Sequence, residues 1–216
     1  MNVFQKLSTT LFLMLTAVSV SAYAGIEEDV LRLQQEWEKV KYLSPASQHE
    51  KGFEVLIKEA EKMSAKYPTR AETMIWYGII ESSYAGAKGG LGALGHVKNA
   101  KKNFEKALEL NPNALDGSAY TSLGSLYYQV PGWPIGFGDD KKAAEYLKKG
   151  LSINPDGIDP NYFLGDFLFR SGDLVGAEKS LRKALQAPNR AGRQVADEGR
   201  RKEINQLLEK IAEKRK

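Results

Sequence analysis

The sequence contains no cysteine. That absence excludes every disulfide, a thiolate metal site, a cysteine nucleophile and a lipid-modified N-terminal cysteine. Histidine is nearly as scarce. His49 and His96 each stand in a helical context without a ligand neighbour at metal spacing, and read as helix-start or surface residues. No serine sits in a nucleophile elbow. The stretch Gly86–Gly95 is rich in glycine but has neither the Gly-Lys-Ser/Thr ending nor the preceding strand of a phosphate loop. Asp139 and Asp140 supply too few oxygens for calcium and read as helix-capping residues. Together these gaps predict no catalytic residue, no metal and no cofactor.

Long apolar runs are missing too. The longest, Leu11–Val20, is shorter than the roughly 20 residues a membrane span needs. With Lys6 before it and Ala22-Tyr23-Ala24 after it, the run reads as an export signal cleaved after Ala24, leaving a mature chain from Gly25. The expected location is therefore periplasmic or secreted, without stable membrane insertion. Nor is there a large excess of one charge, the formal net being +4. Most of it follows Pro188, where Arg190, Arg193, Arg200, Arg201, Lys202, Lys210, Lys214, Arg215 and Lys216 outnumber the acids. This pattern predicts the solvated face of a terminal helix rather than a nucleic-acid surface.

What the chain does contain is a repeated register. Ala100, Phe104, Ala107 and Pro112 recur as Ala143, Leu147, Gly150 and Pro155, then as Ala177, Leu181, Ala184 and Pro188. Each set follows a glycine-bearing helix, marked by Tyr77-Gly78, Leu123-Gly124 and Leu164-Gly165. Upstream, Val30, Leu33, Trp37 and Val40 form one helical stripe, and Phe53, Leu56, Ile57, Ala60 and Met63 a second. Thr69 with Glu72 three residues on predicts the start of the next helix. At the end, Ile204, Leu207, Leu208 and Ile211 face inward on a last helix from about Glu198 to Lys216.

This small–large–small–Pro register resembles the second helix of a tetratricopeptide (TPR) repeat. The resemblance implies an all-α, right-handed helical solenoid of about four helix pairs plus a C-terminal capping helix. Its expected divisions are the signal at 1–24, a degenerate helix pair at 25–68, three repeats at 69–189 and the capping helix at 190–216. Gly165 to Ala177 is 12 residues, the minimal repeat spacing, whereas Gly78 to Ala100 is 22 and Gly124 to Ala143 is 19. Inserts at 86–95 and 130–138 therefore occupy the same turn of adjacent repeats and are expected to lie side by side on one edge. The stretch Pro131–Phe163 is also similar to exported bacterial TPR-like proteins such as the T component of TRAP transporters.

The inserts supply the candidate binding residues. Trp133 and Phe137 are large aromatics in a Pro/Gly segment. They read either as anchors for the loop or as contacts for a partner, with Leu91 and Leu94 opposite them. The TPR resemblance places Glu72, Ile75, Ile79 and Ser82 in the groove, then Ser118, Thr121, Ser125 and Tyr128, then Asp159, Tyr162, Asp166 and Phe169, with Arg170 beside them. This mixed lining lacks the Lys/Asn set that clamps a terminal carboxylate. It implies a protein-interaction scaffold that takes an extended peptide or helix of another exported or envelope protein. Two other readings stand beside it. One is a small-molecule or lipophilic ligand site between the inserts, serving a transporter. The other is a hydrolase using unrecognised carboxylates. Part of the groove is alternatively filled by the chain's own helix, Ile26–Leu43.

Overall fold

The computed structural model describes residues 25–216; the expected export signal, Met1–Ala24, lies outside them. The described residues form α-helices and no strand. Helix α1 covers residues 25–38 and runs on into a π turn, Lys39–Leu43. It is followed by α2 (His49–Lys66), α3 (Ala71–Lys88), α4 (Leu94–Leu110) and α5 (Ala114–Gln129). The rest of the chain is α6 (Asp140–Ile153), α7 (Ile158–Arg170), α8 (Leu174–Leu185) and α9 (Gln194–Lys214). Each helix packs chiefly on its sequence neighbours: α3 on α4, α5 on α6, α7 on α8. The result is an all-α solenoid, with α1 and α2 at one end and α9 at the other.

The repeated glycines are places of close approach. A β-carbon at Gly78 would stand 2.5 Å from the Phe104 ring, one at Gly124 2.6 Å from Leu147 Cγ, and one at Gly165 2.8 Å from Leu181 Cγ. Each A-helix glycine therefore receives the large apolar residue of its own B helix. The small residues of the register, Ala100, Ala107, Ala143, Ala177 and Ala184, are fully buried. Lys101 does not face open water as its place in the register suggests. Its Nζ bonds Glu105 Oε1 at 2.5 Å and lies 5.9 Å from the centre of the Phe137 ring.

Four apolar clusters run along the solenoid. The first joins Leu33 and Trp37 of α1 to Phe53 and Leu56 of α2 and Trp76 of α3. The second lies at Ile75 and Ala107, the third at Phe104, Leu123 and Tyr127, and the last at Leu181, Ile204 and Ile211. Between α3 and α4 a buried Glu81 accepts from Asn99 Nδ2 at 3.3 Å and bonds His96 Nδ1 at 2.6 Å. His96 is thus half-buried and tied to the neighbouring helix instead of lying on the surface.

Several local boundaries differ from the sequence pattern. Helix α3 begins at Ala71 behind Arg70, and Thr69 does not cap it. No side chain caps its first N–H groups; the Thr73 hydroxyl instead donates to Arg70 O at 2.8 Å, and Glu72 bonds the Arg70 side chain. The first insert is shorter as a loop than expected. α3 continues helically to Lys88, the chain turns at Gly89 and Gly90 with φ of +66° and +60°, and α4 starts at Leu94. Glycine is needed there because both residues lie in the left-handed region. The second insert remains an irregular loop, with a cis Trp133–Pro134 peptide. Asp139 closes it by accepting from the Lys141 and Lys142 backbone N–H groups at 2.9 and 3.1 Å, so it is the N-cap of α6.

Candidate functional site

The inner faces of α3, α5 and α7 surround a cavity of about 1320 Å³. Of the groove positions expected from the repeat, Ile79, Ser82, Ser118, Thr121, Ser125, Asp159, Tyr162 and Asp166 line it. Ile75 is buried between helices instead, and Tyr128 is used to join repeats, donating to Asp166 Oδ2 at 2.8 Å with Arg170 above its ring. Both inserts reach the rim, through Leu91 and Leu94 on one and Pro131 and Ile135 on the other.

Among the candidate residues, Leu91, Leu94, Tyr162 and Arg170 therefore meet at the cavity, and Trp133, Phe137, Tyr128 and Phe169 do not. Phe137 anchors its loop, edge-on to the Tyr127 ring at 5.5 Å. Phe169 packs in the last apolar cluster under Lys214. Trp133 is 90% exposed, and Ile135 two residues on is 56% exposed. Ile135 was hidden in the sequence because its Pro/Gly neighbours make the segment look like a plain turn.

The cavity is closed on one side by the chain's two ends. Helix α1 lies against α2 and α3, and its far end reaches α9. Glu38, 5% exposed, accepts from Ala196 N at 3.1 Å and from Arg193 Nε at 3.3 Å. The carboxylate thus sits at the N-terminus of α9, where the helix dipole favours negative charge. Tyr42 lies where a β-carbon on Gly199 would be, 2.3 Å from its ring, and its hydroxyl donates to Glu203 Oε2 at 3.4 Å. Gln35 Nε2 donates to Gly192 O at 3.5 Å. Helix Ile26–Leu43 therefore walls the groove rather than lying along its floor.

Arginines from the connector and α9 complete this wall: of the basic residues expected on a solvated face, Lys202, Lys210, Lys214, Arg215 and Lys216 are exposed, but Arg193 and Arg200 are buried. Arg200 is 9% exposed, with Nε 2.8 Å from Asp159 Oδ1 and Nη1 2.6 Å from Glu203 Oε2. Its guanidinium lies 4.2 Å from the centre of the Tyr162 ring. Arg190 bonds Asp159 Oδ2 and Asp197 Oδ1, both at 2.7 Å. Burial alone would raise the Asp159 carboxyl, but Arg200 and Arg190 hold it well below the usual carboxylate range. Burial pushes the Tyr162 hydroxyl up to about 12 despite Arg200. Burial, and then the like charge of Arg190, lower Arg193. A signal for this cluster was present: Ala196, Arg200, Ile204, Leu207 and Ile211 form one stripe at helical spacing. Charge composition concealed it.

Residues 91–114, which are α4 with the turns on either side, match the tetratricopeptide repeat family. That is the segment whose Phe104 closes on Gly78. This segment of the chain is similar to a tetratricopeptide repeat. A stretch of 102 residues, 47% of the chain, is 30% identical to the Protein CTR9 homolog of Arabidopsis thaliana and spans 8% of that protein. The solved structure of MamA aligns with 67% of this chain and 94% of its own, at 22% identity and a TM-score of 0.33. A score that low does not establish a common overall shape, so the solenoid rests on its own helix pairs. Among the described residues, no group of three or more acidic or histidine side chains is placed to hold a metal ion. No described helix is long and apolar enough to cross a membrane.

Proposed function

We propose that this TPR chain is an exported, non-catalytic scaffold that binds an extended peptide or helix of another envelope protein at the edge built by its two inserts. One observation carries the reading. Leu91 at 78%, Trp133 at 90% and Ile135 at 56% exposure stand on inserts at the same turn of adjacent repeats. Large apolar side chains held in water on ordered loops suit the anchors of a protein interface. The fold supports partner binding in general, since TPR solenoids present extended surfaces of this kind. Export is supported by Lys6, the apolar run Leu11–Val20 and Ala22-Tyr23-Ala24.

Capture from the organism's own envelope extract, run in parallel with wild type and Trp133→Ala, tests the site. The partner is expected to be lost from the variant while its Tm stays within a few degrees of wild type. Equal capture by both, or a large loss of stability with capture retained, would make Trp133 a loop residue and reject the edge. The intact mass of the chain recovered from the periplasmic fraction tests export, and a mass that includes Met1–Ala24 would reject cleavage.

A further inference from the structure

Inside the cavity, one cation differs from its neighbours. Arg190 and Arg200 spend their guanidinium donors on Asp159, Asp197 and Glu203. Arg193 uses Nε alone, toward Glu38, and neither of its Nη nitrogens has a partner among the described residues. Yet Arg193 is 8% exposed, lines the cavity, and has its guanidinium 5.0 Å from the centre of the Trp76 ring. A guanidinium edge on a cavity wall presents two parallel donors that match a carboxylate. Trp76 Nε1 beside it is a buried donor without a partner among the described residues.

Apolar side chains share the cavity with this donor edge. Trp37, Trp76, Ile79 and Val97 line the same cavity, and Leu94 and Ile135 line its rim. The fixed charges nearby are already matched, Arg190, Arg193, Arg200 and Lys41 standing against Glu38, Asp159, Asp197 and Glu203. A multiply charged ligand would have to break those pairs, whereas a single anion needs only the open edge of Arg193. Because α1 joins α9, the space is a chamber with a wall on the side where a solenoid groove is usually open, which favours a small occupant over a long peptide.

We infer that the chamber binds an organic monoanion with an apolar body, its carboxylate accepting from the Nη groups of Arg193 and its body lying against the Trp76–Ile79 wall. The site rests on Arg193 and Trp76, whereas the edge assigned to a protein partner rests on Leu91, Trp133 and Ile135, the first and last of which also line the cavity.

The test uses the full chain as recovered from the cell, with Trp133→Phe so that fluorescence reports Trp37 and Trp76. Dodecanoate, dodecanol and acetate are titrated in turn. Dodecanoate is expected to bind at least about tenfold more tightly than dodecanol, the order of one charge-assisted hydrogen-bonded contact. Acetate, lacking the body, is expected not to bind in the same range. Arg193→Gln should erase the preference for dodecanoate over dodecanol, while Lys202→Gln, the same charge change at an exposed site, should leave it intact. Circular dichroism checks that each variant is folded, and if Arg193→Gln is not, the wild-type ratio of dodecanoate to dodecanol still decides. Equal affinity for the two, binding of neither, or a preference that survives Arg193→Gln in a folded protein would overturn the site.

Discussion

At the scale of single residues, the repeat is a set of fitted contacts between a glycine and a large side chain. Gly124 admits Leu147 so closely that a β-carbon would stand 2.6 Å from Leu147 Cγ and 3.0 Å from its backbone nitrogen. Backbone cannot move aside as a flexible side-chain tip can. Gly124→Ala is therefore expected to cost about 1–3 kcal/mol, the usual range for overpacking a dense core, read as a lowered Tm in thermal melts. Ala107→Trp and Ala177→Trp, at fully buried positions, should cost more. Lys101→Ala should stay under about 1 kcal/mol, because it removes one partly exposed i,i+4 ion pair and a ring contact. Equal melting temperatures for Gly124→Ala, Ala107→Trp and wild type would contradict the register.

At the scale of helices, side-chain ion pairs tie down the end elements. Helix α7 is joined to the connector and α9 through Asp159, and α1 to α9 through Glu38. Because the folded state holds the Asp159 carboxyl below its ordinary value, protons bind the unfolded chain more readily than the folded one in acid. The stability Asp159 contributes is thus complete above its unfolded pKa of about 3.9 and is lost progressively as pH falls below that value. Asp159→Asn is expected to melt lower than wild type at pH 7 and to lose less stability between pH 5 and pH 3. Parallel acid limbs for the two proteins would contradict that role. Glu38→Gln removes the carboxylate facing a buried Arg193, a change that typically costs about 3–5 kcal/mol. Hydrogen exchange should quicken at the start of α9 and the end of α1 before it does in α5 and α6, and uniform quickening would argue against a local tie.

The repeat helices were legible in the sequence because period and residue size alone specify them, as with Leu147 against Gly124 and Gly150 against Thr121. The first insert was only half legible. Its glycines marked a turn, but Gly86 is helical and the turn is made by Gly89 and Gly90. The arginine wall was misread because Arg190, Arg193 and Arg200 take their partners from α1 and α7, remote in the chain. Residue type cannot show whether a charged residue has such a partner.

At the scale of the whole molecule, each helix pair turns the next one slightly, and the sum of those turns decides whether the ends meet. No single repeat encodes that outcome. Here the ends do meet: Gln35 and Glu38 of α1 and Tyr42 of its π turn touch Gly192, Ala196 and Glu203. The groove is thereby walled on the side where α1 meets α9, and residues of both inserts line it. The dual use proposed for the chain, a partner on the rim and an organic anion inside, depends on this closure. The chain lacks cysteine, so two introduced cysteines can be spin-labelled without background. Lys39 and Lys202 are exposed, one on the π turn of α1 and one on α9. Electron–electron distance measurement on Lys39→Cys/Lys202→Cys is expected to give one short, narrow distribution. A broad or long distribution, with circular dichroism unchanged, would mean an open crescent and would contradict the closed chamber.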